Sequence, residues 1–272
     1  MRLRRRGPRS VEAATRRSLR TPWISTTIPL ASVSPPVVSF VNDAESVQDN
    51  PSEHDGDDPQ DPCEAGSVFK DLSVLQCNIR GFISHRAELE GQLRLLPASP
   101  ALICVNETFL DDSVDDDQLW LGGYKLASRR DRSDGREGGG VLCFVADRYA
   151  TQVALCEHSD AHERSWHTIH SDIGPVLCGI WYRPPCHGEV ASITACDEEW
   201  RRLSGNFVAT ILVGDLNVHH TRWLRHSSSV SVEGTSLYRF CMASGFKQFV
   251  KHPTRGENLL DLIISDLDRC KV

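Results

Sequence analysis

Residues 208–223 read VATILVGDLNVHHTRW, an apolar run that ends in a polar cluster. The uncharged run 208–213 predicts a buried strand, because a short apolar stretch bounded by turn residues is typical of sheet interiors. The next four residues, 214–217, are typical of a tight turn in which Asp and Asn bond to the local backbone. They also fit a strand end that presents a carboxylate and an amide, so this segment alone leaves both interpretations open.

Three further predicted strands end in short polar clusters. Each cluster alone has a structural explanation as a turn residue, a loop carboxylate or a rigid exit from a strand. If the strand ends converge on one rim, however, their Asn, Glu and Asp side chains form an oxygen-rich site that suits Mg²⁺ or Mn²⁺ and a phosphate. The clusters are Asn78 near the end of strand 72–79, Asn106-Glu107-Thr108 after strand 101–105, and Tyr182-Arg183-Pro184-Pro185 closing strand 176–182.

From residue 66 onward the pattern is that of an α/β domain. It predicts helices at 85–96 and 235–244, and further strands at 124–128, 141–146 and 258–265. Strands dominate, and hairpin-like stretches mix with strand–helix units. This mixture favours two sheets packed on each other and covered by helices, within one domain over residues 66–272.

Residues 1–65 have a different composition. Residues 1–20 hold eight Arg and one Glu, a Ser/Thr/Pro stretch follows, and residues 41–65 hold nine acidic residues and no Lys or Arg. Such a segment buries too little apolar surface to offset the entropy of ordering, so we predict a disordered tail. Its Arg-rich start fits either a solvated basic arm or an organelle transit peptide.

Cysteine usage and charge constrain the surroundings of the protein. The ten cysteines are scattered singly, mostly in apolar runs, which predicts free, reduced thiols and a nuclear or cytoplasmic location. The net charge of −7 is a weak guide to the ligand, because metal-binding carboxylates alone make a domain acidic. No stretch approaches the roughly 18 to 20 apolar residues of a membrane span, so we expect no membrane partner.

Taken in order, the polar clusters resemble the motif series of the endonuclease/exonuclease/phosphatase superfamily, which includes apurinic/apyrimidinic endonucleases, DNase I, deadenylases and inositol-phosphate phosphatases. Over about residues 70–272 the chain is most similar to the endonuclease domain of non-LTR retrotransposons. The resemblance implies a DNase I-like, four-layer α/β/β/α sandwich of two mixed sheets. It also implies an endonuclease that uses Mg²⁺ (or Mn²⁺) to nick DNA and leave a 3′-hydroxyl. The likeness is carried by GGGVLCFV at 138–145, WYRPP at 181–185, GDLNVHHTRW at 214–223 and LLDLIISD at 259–266.

The resemblance implies a role for each matching residue. Glu107 would be the main carboxylate ligand of the metal, with Asn78 beside it. Asp215 would orient or deprotonate the attacking water, and Asn217 would hydrogen-bond the scissile phosphate. The remaining assignments are Tyr182 at the phosphate or leaving oxygen, Arg183 at a neighbouring phosphate, Asp261 as the partner of a catalytic histidine, and His220 in a structural or DNA-contacting position.

The final motif of the family, Ser-Asp-His, has no match. Ser265-Asp266 follows too soon after Asp261, and Leu267 stands where the histidine would be. We therefore expect a domain that lacks its last strand, exposes a sheet edge and has lost a charge-stabilising group. Two alternatives to the endonuclease stay open: an impaired retroelement remnant that retains the fold, and a phosphatase or deadenylase of the same superfamily. A reverse transcriptase domain in a longer parent polyprotein is the expected partner, beside DNA.

Overall fold

Two mixed β-sheets form the framework of the chain in the computed structural model, which describes residues 24–29 and 71–267, without the side chains of 24–29 and Asp71. The strands of the first sheet are β1 (Ile24–Pro29), β2 (Asp71–Asn78), β3 (Leu102–Asn106), β4 (Tyr124–Arg130) and β5 (Val141–Ala146). They lie in the order β1-β2-β3-β5-β4. The β2–β3 pair is parallel, and the other pairs of this sheet are antiparallel.

The second sheet follows the same plan of one parallel pair among antiparallel ones. Its strands are β6 (Val153–His158), β7 (Arg164–Ser171), β8 (Gly174–Trp181), β9 (Ala209–Asp215), β10 (Lys247–Gln248) and β11 (Asp261–Ser265). The order is β10-β11-β9-β8-β7-β6, and β8 runs parallel to β9. The described residues also form three α-helices, α1 (Phe82–Leu93), α2 (Ala191–Leu203) and α3 (Val232–Ala243), and three short 3-10 helices.

Residues alternate between the two faces of each strand, and this alternation builds the layers. Val74 of β2 lies in the buried cluster that joins the two sheets, whereas its neighbour Leu75 packs under α1 with Phe82. On the far side of the second sheet, Trp200 of α2 donates an indole hydrogen bond to Thr210 of β9 (3.1 Å). The layers therefore run α1, first sheet, second sheet, then α2 and α3, which confirms the predicted four-layer α/β/β/α sandwich.

The apolar runs located most strands and two helices to within a few residues. Strands β6, β7 and β10 and helix α2 were missed. Strand β7 lacks an apolar run, because Arg164, Ser165 and His167 are among its buried residues. Helix α2 lacks a start signal, since its N-cap residue, Val190, has no side chain that can bond to the first turn.

One strand lies inside the segment predicted to be disordered. Strand β1 pairs antiparallel with β2, from Ile24 opposite Gln76 to Pro29 opposite Asp71. The prediction of disorder is wrong for these six residues, whose sequence ISTTIP is rich in β-branched side chains and completes the hydrogen bonding of the β2 edge. Strand β2 is thus bordered on both sides. The other residues of 1–65 lie outside the described part, and their disorder stays a prediction, as does the missing last strand.

No helix among the described residues is long and apolar enough to cross a membrane. The eight cysteines within residues 71–267 are free thiols, and six of them are buried. These six occupy apolar layers, as small hydrophobic residues do.

Candidate active site

Four acidic and amide side chains meet where the two sheets approach each other. In the parallel β2–β3 pair Asn78 lies opposite Asn106, the residue before Glu107, and in the antiparallel β9–β11 pair Asp215 lies opposite Asp261. The Asn78 side-chain amide bridges the two sheets, because its Nδ2 donates to Glu107 Oε1 (2.5 Å) and to Asp215 Oδ2 (2.8 Å). We call Glu107, Asp215 and Asp261 the carboxylate cluster.

Glu107 has a strained backbone conformation that neighbouring segments hold in place. Its φ of 53° lies in the left-handed region, which costs roughly 1–2 kcal/mol for a residue with a side chain. Its carbonyl accepts a hydrogen bond from the backbone N–H of Gly81 (2.8 Å), at the start of α1. Strain of this kind persists only where the surroundings hold the conformation, and it concentrates at functional sites.

Asp215 is fully buried at the end of β9. The residue before it must be glycine, because a Cβ on Gly214 would lie 1.7 Å from the carbonyl oxygen of Trp181. Burial, followed by the negative charge of Asp261, raises the pKa of Asp215 from 3.8 to about 7, against the opposing positive charge of Arg255. The carboxyl is therefore poised to exchange a proton near neutral pH.

Asp261 is held by a glutamine that the sequence reasoning missed. Gln76 Nε2 donates to Asp261 Oδ1 (3.1 Å) and to Asn106 Oδ1 (2.8 Å), so this amide also links the two sheets. Burial raises the pKa of Asp261. A signal for Gln76 existed in the sequence, because it is a polar residue at an inward position of β2, between Val74 and Asn78.

Arg255 is the second residue that the sequence reasoning missed. One terminal nitrogen of its guanidinium lies 2.6 Å from Asp215 Oδ2 and 3.6 Å from Glu107 Oε1. The side chain is 37% exposed, so the cation covers the carboxylate cluster from the solvent side. It lies on the loop before β11, where no strand or helix pattern indicates its position.

Tyr182 and Asn217 flank the carboxylate cluster. Burial, followed by the negative charges of Glu107 and Asp215, raises the pKa of the Tyr182 phenol well above its usual value, so it stays protonated at neutral pH. Asn217, at a φ of 46°, donates from Nδ2 to the carbonyl of Arg183 (2.9 Å). The loop after β9 is thereby tied to the loop after β8.

The side chains of Arg183 and His220 contact other parts of the protein in this structure. Arg183 is fully buried, and its guanidinium donates to the carbonyl oxygens of Cys186 (3.0 Å) and Glu189 (2.5 Å). His220 is buried and stacks on Tyr238, with ring centroids 4.6 Å apart. A phosphate could reach the Arg183 guanidinium only after its contacts change, and the predicted substrate contacts of both side chains stay predictions.

Solved nuclease structures share this architecture. The endonuclease domain of TRAS1, a telomere-specific non-LTR retrotransposon, aligns with a TM-score of 0.50 and 15% identity over 70% of this chain and 82% of that one. The apurinic/apyrimidinic endonuclease of Leishmania major aligns at 0.54 and 13% identity, over 71% and 78%. The Neisseria 3′ phosphatase NExo, bound to a product DNA hairpin, aligns at 0.50 and 12%, over 71% and 85%.

The chain has the fold that these endonuclease and phosphatase structures share. No family model matches the sequence, and no curated protein matches it significantly. At 12–15% identity the likeness concerns the fold, so the chemistry must be argued from the side chains of this chain.

Within this fold, the set of oxygen donors at the carboxylate cluster fits a hard divalent cation. Asp215 Oδ1 is buried and accepts no hydrogen bond from any described residue. Glu107 and Asn78 add further oxygens of the type that Mg²⁺ and Mn²⁺ prefer. No group of three or more His, Cys, Asp or Glu side chains among residues 72–267 is arranged to hold a metal. Mg²⁺ commonly takes one or two carboxylates and completes its shell with water and phosphate oxygens, which suits such an open set.

Proposed function

We propose that this chain is a metal-dependent phosphodiesterase, and specifically a retrotransposon-type DNA endonuclease that leaves a 3′-hydroxyl. The observation that carries the proposal is the bridge from Asn78 to both Glu107 and Asp215, which assembles a metal ligand and a proton acceptor across the two sheets. Support for DNA as the substrate comes from two proteins of the same fold, a retrotransposon endonuclease domain and a phosphatase bound to a DNA product.

Glu107 and Asn78 would hold the metal. A divalent cation bound there supplies Lewis-acid stabilisation of the negative charge that develops on the phosphate. The amide of Asn78 keeps Glu107 and Asp215 in fixed relative positions, so little reorganisation is needed when substrate arrives. Such preorganisation favours the transition state over the ground state.

The proposed reaction is attack of a water oxygen on phosphorus with cleavage of the P–O3′ bond, which gives a 5′-phosphate and a 3′-hydroxyl. Asp215 accepts the proton that the water loses, and a pKa of about 7 suits a general base at neutral pH. The departing O3′ gains a proton from solvent while the protonated Tyr182 phenol donates a hydrogen bond to it. The negative charge of Asp261 contributes by helping to raise the pKa of Asp215.

Asn217 is proposed to bind the scissile phosphate. A side-chain amide carries two N–H donors, and the hydrogen bond to the Arg183 carbonyl uses one of them. The second N–H remains for a phosphate oxygen on the side of Asp215. The Arg183 carbonyl thus acts as a support that orients the amide.

The test is nicking of supercoiled plasmid by the full 272-residue chain with Mg²⁺, with Mn²⁺ and with EDTA. Glu107→Gln and Asp215→Asn keep the side-chain shapes and should each reduce the metal-dependent rate by about 10² to 10⁴. Glu198→Gln, at an exposed position of α2, is the matched control and should nick like the wild type. Nicking that survives both active-site substitutions would contradict the proposed roles.

Assays of the same purified protein on other substrates distinguish the endonuclease from the two alternative functions. Phosphate release from an inositol phosphate, or shortening of an RNA tail, without plasmid nicking would favour a phosphatase or deadenylase. A folded protein that hydrolyses none of these substrates would favour the retroelement remnant. A reverse transcriptase domain that extends the 3′-hydroxyl within a longer polyprotein is part of the proposal and would be sought in the downstream reading frame.

A further inference from the structure

An exposed aromatic ring lies beside the candidate active site. Phe109 follows Glu107 by two residues, a span of at most about 7 Å, and its side chain is 46% exposed. Trp120 is similarly exposed at 51%, but the guanidinium of Arg86 covers its ring at 4.0 Å. Within residues 72–267 Phe109 takes part in no ring-stacking or cation–π pair, so no other side chain occupies its exposed surface in that way.

The position of Phe109 is fixed by its backbone. Its N–H donates to the carbonyl of Gly139 (3.0 Å), and the carbonyl of Thr108 accepts from the N–H of Phe82 at the start of α1 (2.8 Å). The φ of 55° is left-handed, an unusual conformation for a bulky residue. An exposed apolar ring that is held by two neighbouring segments at a cost in strain is unlike a side chain left on a mobile surface loop.

Two glycines adjoin the ring. A Cβ on Gly138 would lie 2.9 Å from Phe109 Cε1, and a Cβ on Gly81 would lie 3.8 Å from its Cδ2. Gly138 therefore lets the 138–140 stretch approach the ring more closely than another residue would allow. The two glycines adjoin the ring, and the residue is still 46% exposed.

A cation lies at the same edge of the site. Arg80 Nε is 3.6 Å from Glu107 Oε2, and its side chain is 69% exposed. The neighbourhood of Glu107 thus offers metal-binding oxygens, a cation and an aromatic face. A nucleotide presents the complementary groups in one unit, a phosphate and a base with a π-face, whereas an inositol phosphate has no π-face.

We propose that Phe109 forms a nucleobase subsite, on which an unstacked base next to the scissile phosphate stacks, while Arg80 contacts the nucleic-acid backbone. The inference rests on the proposed function and deepens it by naming nucleic acid with an accessible base as the substrate class. Stacking on an aromatic side chain is sequence-tolerant, because every base has a π-face. The subsite therefore favours single-stranded or distorted sites without selecting one base.

The test is binding of a ten-nucleotide single-stranded DNA that contains 2-aminopurine, whose fluorescence is quenched by stacking. In the cleavage-blocked Asp215→Asn background with Mg²⁺, which keeps the proposed metal ligands, Phe109→Leu should weaken binding roughly tenfold and remove the protein-induced quenching. Phe109→Tyr keeps the ring and should retain both. Leu95→Ala, an exposed apolar position elsewhere, is the control for surface hydrophobicity.

An abasic oligonucleotide of the same length provides a second arm. The protein with Phe109 should bind it about as weakly as Phe109→Leu binds the normal strand. Equal affinity for abasic and normal strands, or unchanged binding and quenching in a folded Phe109→Leu variant, would overturn the subsite.

The two proposals fail in distinguishable ways. If Phe109→Leu nicks plasmid with an unchanged KM, the proposal of a nucleobase subsite is wrong and the proposal of an endonuclease stands. If quenching depends on Phe109 but the protein nicks no DNA, the proposal of a nucleobase subsite stands and the proposal of an endonuclease is wrong.

Discussion

Two regions of the molecule bury acidic side chains: the carboxylate cluster, and a second network between strand β7 and helix α2. They differ in the number of positive charges and hydrogen-bond donors that surround each acid. In the second network Glu199 of α2 accepts from Arg164 Nε (2.7 Å), Trp166 Nε1 (2.7 Å) and Ser159 Oγ (2.6 Å). We call these four residues the Glu199 network. One carboxylate there meets one guanidinium and two neutral donors.

The net pKa shifts in the two regions have opposite signs, although burial raises the pKa in both. Burial acts to raise the pKa of Glu199, but the hydrogen bonds and charge of Arg164 outweigh it, and the pKa lies below its usual value. In the carboxylate cluster burial and mutual repulsion win, and the pKa values of Asp215 and Asp261 lie above theirs. A buried acid with its full set of donors supports the fold, whereas an excess of buried acids is available for a cation or a proton.

The largest expected effect separates catalysis from stability. Asp215→Asn removes the proposed proton acceptor and should lower the plasmid-nicking rate by about 10² to 10⁴. The metal-free variant should melt at or above the wild-type temperature at pH 8, because the charged form of Asp215 is disfavoured by burial and by Asp261. A lower Tm with an unchanged nicking rate would show that Asp215 supports the fold and does not take part in the reaction.

The complementary change breaks the Glu199 network. Glu199→Gln leaves the fully buried Arg164 guanidinium without its counter-charge, which commonly costs about 3–5 kcal/mol. In a domain of this size each kcal/mol lowers Tm by roughly 2–4 °C, so we expect a fall of about 10 °C by calorimetry. Glu198→Gln, one residue earlier and exposed, should melt like the wild type.

At 25 °C the folded Glu199→Gln protein should nick plasmid at the wild-type rate per folded molecule. A Tm within a degree of wild type would mean that the network contributes little to stability.

Arg255→Gln removes the cation that covers the carboxylate cluster. Because a guanidinium close to Asp215 and Glu107 repels a divalent cation, the variant should bind Mn²⁺ about tenfold more tightly, allowing for solvent screening of a side chain that is 37% exposed. Calorimetric titration with Mn²⁺ measures this directly. Arg255→Lys should lie between the two, and Arg94→Gln, an exposed position on another surface, should match the wild type.

Weaker Mn²⁺ binding by Arg255→Gln would show that Arg255 organises the carboxylates for the metal and does not compete with it.

The last expected effect is the pH dependence of the metal-free protein. The pKa of Asp215 rises from 3.8 to about 7 on folding, so its contribution to stability is complete below about pH 4 and is lost as the pH rises through about 7. We therefore expect Tm to fall over that window.

His167 has the opposite slope, because burial lowers its pKa to about 4 and its contribution is lost as the pH falls from about 6.5. The quantity to measure is therefore the difference in Tm between wild type and Asp215→Asn at each pH. A difference that does not change between pH 4 and 8 would contradict the raised pKa of Asp215.

Much of the framework was predictable because it depends on local pattern. Apolar runs located β2, β3, β8 and β9, and the polar residues after them included Asn78, Glu107 and Asp215, which the structure brings together. Strand β7 and helix α2 were not predictable in this way, because Arg164 is buried through a partner, Glu199, that lies 35 residues away. Long-range compensation of this kind leaves no local signal.

The amino-acid sequence by itself determined the α/β class, the strand ends and the acidic character of the candidate site, since hydrophobic periodicity and turn chemistry act over a few residues. Only the tertiary structure decided that Gln76 and Arg255 reach the carboxylates and that β1 borders β2. It also decided which acids are charge-balanced, as Glu199 is, and which are in excess, as Asp215 is. The physical reason is that burial and Coulomb interactions depend on distances through space, which sequence separation does not specify.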